Sequence, residues 1–230
     1  MTAADGLEVL AAEAERLGVA LDPEARTRFA QYLVLLEEWR ERAGLTTVVD
    51  ADEVQRRHFG EALALLSVVR ALPELASGTE PVALADLGSG AGFPGLPVAI
   101  AAPDSRVVLL DSTRKRVDFL ARSIEALGVR NASAVWDRAE EHLARNTYDV
   151  VLIRAVSSVR ENVRMLRKVR HSHKDLVMLK GPSWGREVRA GEREAERLGF
   201  RLDTVWEHKL PEGMGDRAIL VYRAPGAQGT

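Results

Sequence analysis

The chain has no cysteine, which excludes disulfide staples, thiolate nucleophiles and zinc centres built on sulfur. No run of about eighteen apolar residues occurs, so a membrane-spanning helix is not expected. Residues 1–15 are acidic and alanine-rich, unlike a secretory leader with its basic start and apolar centre, so the expected compartment is the cytoplasm. An excess of either charge is missing too: 32 basic side chains stand against 34 acidic ones and leave a net charge of −2. No global field draws such a chain to nucleic acid, and any RNA must be held by a local basic patch. His142, His171, His173 and His208 have no spacing with acidic residues that marks a metal centre, so no metal is expected.

Enough apolar sequence is left to build a core. With 230 residues, 46% of them hydrophobic, the chain can fold as one α/β domain with a modest appendage, and a monomer is expected. From residue 6 to residue 72 the apolar side chains recur at helical spacing in three groups: Leu7, Leu10, Ala11 and Ala14; Phe29, Leu33, Leu36 and Trp39; Val54, Phe59, Leu63 and Leu66. Asp22-Pro23 reads as the cap and first-turn proline of the second helix, Gly44 follows its end, and Asp50 caps the third.

Beyond Pro73 the pattern changes. Short β-branched runs at 82–87, 106–110, 134–136, 148–153 and 176–179 alternate with helical patterns at 95–102, 115–127, 159–169 and 185–198, which is the signature of a parallel sheet covered on both faces. Two final runs, 200–206 and 218–222, leave no room for a crossover helix and should pair antiparallel. The expected fold is α/β and Rossmann-like: a doubly wound, mostly parallel sheet ending in an antiparallel hairpin, preceded by a helical appendage. The expected divisions are 1–75 for the helices, 76–223 for the sheet domain and 224–230 for a frayed tail, with the loop at 75–81 as the boundary.

The chemistry concentrates in Asp86-Leu87-Gly88-Ser89-Gly90-Ala91-Gly92-Phe93-Pro94-Gly95, placed after an apolar run and before a helix. Alternate glycines remove the side chains that would hold a ligand away from the backbone and permit a tight turn. Phe93 stands where a dinucleotide fingerprint needs its third glycine, and no Gly-Lys-Ser/Thr follows to cradle phosphates. An acid directly before the glycines suits a ligand with a positive end better than a pyrophosphate, so Asp86 is expected to meet such a group. Asp111, at the end of the next strand, is placed to accept from both hydroxyls of a ribose, and Asp137-Arg138-Ala139-Glu140 to edge an adenine.

These segments resemble the glucose-inhibited division protein B family, methyltransferases of guanine N7 in bacterial small-subunit (16S) ribosomal RNA. The resemblance runs from about Phe29 to Tyr222. It is carried by Leu45-Thr46, Arg57-His58-Phe59, the glycine loop, Leu109-Leu110-Asp111-Ser112 with Lys115-Arg116-Val117, Arg138-Ala139-Glu140-Glu141, Arg154-Ala155 and Leu179-Lys180-Gly181. Gly-Ala-Gly-Phe-Pro-Gly is the most specific of these runs. The resemblance implies S-adenosylmethionine as cofactor, held by Asp86, Gly88, Ser89, Gly90, Gly92, Phe93, Asp111, Ser112, Arg138, Ala139, Glu140 and Arg154. It also implies that His58, Lys180 and Arg217 line the substrate side, with Arg154, Lys180 and His58 as the catalytic set. The sequence departs from the family's pattern at Gly44, where Asn is usual, and at Glu61-Ala62, where Asp-Ser is expected.

Guanine N7 carries a lone pair and no proton, so transfer to it needs positioning rather than a general base. N7 is hidden in the deep groove of A-form RNA, so the implied target lies in a loop or is extruded from a stack. The densest basic stretch of the chain, with Arg160, Arg164, Arg167 and Arg170, is a candidate RNA contact together with Arg217. Two other readings fit the same residues: a small-molecule methyltransferase of this fold, and a non-catalytic cofactor-binding module that docks a partner.

Overall fold

The computed structural model describes residues 6–43, 50–76, 80–154, 156–209 and 215–225. Helices α1 (Glu8–Arg16), α2 (Pro23–Ala43), α3 (Ala51–Val54), α4 (Glu61–Arg70) and α5 (Pro73–Ala76) precede the first strand, and a π-helical stretch, Gln55–Gly60, joins α3 to α4. The Ala25 N–H donates to Asp22 Oδ1 at 2.6 Å and the Glu53 N–H to Asp50 Oδ1 at 2.8 Å, so both expected caps are in place. Gly44 and Leu45-Thr46 lie outside the described residues.

Strands and crossover helices then alternate: β1 (Ala83–Leu87), α6 (Gly95–Ala101), β2 (Arg106–Asp111), α7 (Arg114–Leu127), β3 (Ala132–Trp136), α8 (Ala139–Leu143), β4 (Tyr148–Arg154), α9 (Val159–Met165), β5 (His173–Lys180), α10 (Trp184–Arg197), β6 (Arg201–Lys209) and β7 (Asp216–Arg223). Seven strands form one sheet in the order β3-β2-β1-β4-β5-β7-β6. β1 to β5 are parallel, and β7 pairs antiparallel with both β5 and β6. The chain winds outward from β1 to β3 and then returns to place β4 on the other side of β1. That reversal opens a crevice at the strand tips, where ligands of doubly wound sheets bind.

Alternation along each strand splits the core into two layers. Leu84, Leu109, Leu152 and Val177 face one apolar cluster, which also takes Leu10, Phe29, Tyr32, Phe59 and Leu66 from the N-terminal helices. Ala85, Leu110, Ile153 and Met178 face a second cluster, covered by Val159, Val163 and Leu166 and by Ala195 of α10. Period-two packing puts successive residues on opposite faces, so the N-terminal helices cover one face as α9 and α10 cover the other. Among the described residues no helix is long and apolar enough to cross a membrane.

Two expectations need correcting. The segment 75–81 is not all loop, because α5 reaches Ala76. The chain does not fray at residue 224: Ala224 is buried, its N–H donates to Lys174 O at 2.8 Å, and His171 Nδ1 donates to Pro225 O at 2.8 Å. Residues 226–230 lie outside the described residues.

Helix α10 crosses α9 at Gly191, where an added methyl group would lie 2.9 Å from Val159 Cγ1 and 3.1 Å from the Arg160 nitrogen. Alanine gains about 1 kcal/mol of helix propensity over glycine, but overpacking costs roughly 1–3 kcal/mol. Gly191→Ala is expected to lower the unfolding free energy in urea by about 1 kcal/mol at unchanged slope, and a variant at least as stable as the parent contradicts this packing.

Candidate functional site

The loop between β1 and α6 folds over the tip of β2. Gly88 and Ser89 N–H groups both donate to Leu110 O, at 2.8 and 3.0 Å. Asp111 ties the turn from below, its Oδ2 accepting from the Gly90 N–H at 3.0 Å and its Oδ1 from the Thr113 N–H at 2.8 Å. Gly92 has φ of +98°, and a Cβ there would meet Tyr32 Oη at 2.5 Å. Tyr32 itself donates to Ala91 O. A helix of the appendage thus braces the loop from behind.

Asp86 is not where the sequence places it. It lies beneath the loop, wholly buried, with Oδ2 accepting from the Gly95 N–H at 3.0 Å and Oδ1 without a protein partner. Burial pushes its carboxyl up to about 6. The acid anchors the start of α6 instead of lining a cavity.

A cavity of about 470 Å³ opens at the tips of β1, β2 and β4. Of the residues expected at a cofactor, Gly88, Asp111, Ser112, Arg138, Ala139, Glu140 and Arg154 line it; Asp86, Ser89, Gly90, Gly92 and Phe93 do not. Asp137 lines it as well, one residue beyond Trp136, the β3 residue that pairs with Asp111. Val156 and Met165 also contribute, and sequence reasoning missed both. Met165 arrives from α9, on a different crossover, and only the fold brings it there.

Beside it lies a second cavity of about 340 Å³, lined among others by Arg57, Glu61, Arg154, Lys180, Glu187 and Arg217. Arg154, at the end of β4, lines both cavities. Its guanidinium pairs with Glu61 Oε2 at 3.1 Å and donates to His58 Nδ1 at 2.7 Å. The other Glu61 oxygen accepts from Arg217 Nε at 3.0 Å. Glu61, a mere departure from the family's pattern in sequence, is therefore the carboxylate that joins two arginines 93 and 156 residues away.

Phe93 packs beneath this group, with its ring centroid 4.4 Å from that of His58 and the Arg154 guanidinium 5.8 Å above its own. Because a guanidinium only donates, His58 Nδ1 must accept and the proton sits on Nε2. Burial, then Arg154 and Arg57, lower the His58 imidazole to about 3, so it is neutral near pH 7. Lys180 is buried, donates to Ser157 O and pairs with Glu187 at 3.0 Å. Among the described residues no three His, Asp or Glu side chains converge.

The expected basic patch is only partly near this place. Ser158 caps α9, and Met165 at the end of that helix lines the larger cavity, whereas Arg160, Arg164, Arg167 and Arg170 line neither cavity. The chain then reaches the start of β4, where the Tyr148 N–H donates to Ser172 O, and Arg170 donates to Arg167 O at 2.8 Å. Arg164 is paired with Glu194 at 3.0 Å. Of the predicted RNA contacts, Arg217 lines the second cavity.

The profile of the family described as rRNA small subunit methyltransferase G matches residues 25–214. The chain belongs to that family. Proteins called ribosomal RNA small subunit methyltransferase G are similar to it along most of its length: that of Carboxydothermus hydrogenoformans is 33% identical, covering 90% of this chain and 86% of its own. That of Bacillus subtilis is 32% identical, covering 90% and 85%. Among solved structures, magnesium protoporphyrin IX methyltransferase from Synechocystis with bound SAM superposes with a TM-score of 0.59 at 17% identity, over 90% of this chain and 99% of the other. The METTL16 methyltransferase domain gives 0.59 at 14%, over 93% and 90%. At such identities these two establish the fold, and the family establishes the chemistry: the protein is a methyltransferase that uses S-adenosylmethionine.

The larger cavity has the donors and acceptors for that cofactor. It offers carboxylates at two neighbouring strand tips, a glycine edge at Gly88 and the apolar surfaces of Leu110, Ala139 and Met165, which suit hydroxyls, a charged amino acid end and a purine in turn.

The neutral His58 has a measurable consequence. A buried imidazole with a lowered pKa stabilises the fold fully above the unfolded value of about 6.5, and that contribution is lost as the pH falls toward the folded value of about 3. Between pH 6.5 and pH 5 the loss is about 2 kcal/mol. His58→Asn, which keeps an acceptor for Arg154 but cannot titrate, is expected to flatten the acid side of the stability curve by that order. Urea unfolding at the two pH values measures it, and parallel curves for the two proteins contradict it.

Proposed function

We propose that the protein methylates N7 of a guanine in small-subunit ribosomal RNA, with the cofactor in the 470 Å³ cavity and the base in the 340 Å³ cavity. The carrying observation is Arg154, which lines both cavities and is paired from behind with Glu61. Bound S-adenosylmethionine supplies a methyl group on a cationic sulfur; the N7 lone pair forms the new bond, the C–S electron pair stays on sulfur as a neutral thioether, and the positive charge passes to the base.

No proton needs to be removed from N7, which agrees with a His58 held neutral and committed to Arg154. Its role is positioning: it fixes the guanidinium from one side while Glu61 fixes it from the other. A bare guanidinium would repel a sulfonium at close range; the Glu61 carboxylate, shared with Arg217, screens part of that repulsion. The second cavity is lined by two paired carboxylates, Glu61 and Glu187, and by four cations, a net positive lining that attracts an anionic RNA strand. Arg57 and Arg217 rim the same cavity and are suited to backbone phosphates around an extruded base.

In this reading residues 1–75 supply His58 and Glu61 as one wall of the site, residues 76–223 hold the cofactor, and 224–230 take no part. The few exposed large apolar side chains, Val34, Trp136, Val156 and Val205 among the described residues, suit a monomer, and a ribosomal RNA substrate suits the cytoplasm. The test is methyl transfer from labelled S-adenosylmethionine to small subunits from a strain lacking the enzyme, followed by mass mapping of the RNA. One 7-methylguanosine is expected; label in no guanine, or in another position of the base, contradicts the proposal.

A further inference from the structure

The base cavity holds two carboxylates, and they differ in what they leave open. Glu61 is 3% exposed and has both oxygens on arginines. The Glu187 side chain is 23% exposed. Its Oε2 accepts from Lys180 Nζ at 3.0 Å and the Val159 N–H at 3.2 Å, and its Oε1 from Ser183 Oγ at 3.0 Å. A carboxylate has about four acceptor positions, so three are filled and one remains. Burial works to raise the Glu187 carboxyl, but Lys180, Ser183 and the Val159 N–H together hold it below the usual carboxylate range.

Lys180 is the complement. Of the three ammonium hydrogens, one goes to Ser157 O and one to Glu187, which leaves one. The cavity wall therefore presents a spare donor on Lys180 Nζ and a spare acceptor on Glu187 Oε1, on two charged groups that already meet through Oε2 at 3.0 Å. Guanine carries the matching pair, the O6 acceptor next to the N1–H donor. Adenine carries the opposite pair, an amino donor next to an acceptor nitrogen, and would set two donors and two acceptors face to face.

We infer that Glu187 and Lys180 read the guanine edge, Glu187 accepting from N1–H and Lys180 donating to O6; this rests on the reading that the acceptor base occupies this cavity. O6 lies between N1 and N7 on the rim of the ring, so this pairing leaves N7 on the far side of Lys180 from Glu187. Methylation makes the base cationic and N1–H a stronger donor. The bond to Glu187 therefore tightens as the methyl group arrives, and such an interaction raises the rate as well as the affinity.

The test uses methyl transfer to unmodified small subunits, with guanosine, 1-methylguanosine and adenosine 5′-monophosphates as competitors of the RNA. Against the unaltered protein, guanosine monophosphate is expected to inhibit about tenfold more strongly than the other two, as loss of one charge-assisted bond implies. Glu187→Met, which has no acceptor, should reduce the ratio of guanosine to 1-methylguanosine to about one while Lys180 keeps part of the preference over adenosine, and Glu187→Gln should give an intermediate value, with S-adenosylmethionine affinity by calorimetry unchanged in both. A ratio that persists in Glu187→Met overturns the inference; if that variant no longer binds cofactor, an unreduced ratio in Glu187→Gln does so. Absence of any guanosine preference in the unaltered protein overturns it too. An unaltered protein that methylates no guanine of the RNA overturns the parent proposal instead.

Discussion

A buried carboxylate between two guanidiniums, Glu61 between Arg154 and Arg217, is the interaction on which the site depends. Taking an ion out of water is costly unless its partners are close and well aimed, and removing one member of a buried pair costs about 3–5 kcal/mol. Here the three members come from the start of α4, the end of β4 and the start of β7. Their pairing ties the appendage to the tip of the sheet and to its closing hairpin. It also holds Arg154 as an oriented donor whose charge is partly screened by the shared carboxylate, which suits a residue that stands between a cationic methyl donor and a base about to become cationic.

The remainder of the fold delivers these groups. Reversal of the winding at β1 opens the crevice, and the positive-φ glycines let the loop lie flat on Leu110 and Asp111. Tyr32 and Phe93 transmit the position of the appendage to that loop through direct packing at 5.7 Å between ring centroids. The π-helical stretch Gln55–Gly60 ends just before Glu61, and His58, Phe59 and Glu61 are all buried there. Irregular turns of this kind recur where a helix must aim side chains at a site.

Much of this was legible in the residues. Each of the seven strands was marked by an apolar or β-branched run, because a sheet covered on both faces needs them, and the glycine loop and Asp111 were marked by their place at strand ends. What escaped was set by tertiary contact. The acid of Asp86 looks like a ligand group in one dimension, yet its side chain turns under the loop to the Gly95 N–H. The arginines of α9 and of the turn after it look like one patch, but none of the four lines either cavity, and Arg164 is taken by Glu194. Glu61 stood out in the sequence only as a departure from the family's pattern, since its partners lie far along the chain; Ala62 beside it is simply buried in the core.

The measurement that tests the account most directly is the turnover of Glu61→Gln and Glu61→Asp on unmodified small subunits, with cofactor affinity followed in parallel. Neutralising the clamp should lower kcat about a hundredfold, equivalent to about 3 kcal/mol, while S-adenosylmethionine still binds, and the shorter carboxylate should restore most of the rate. A Glu61→Gln enzyme that turns over within twofold of the parent would contradict the claim that this carboxylate makes Arg154 fit for its place.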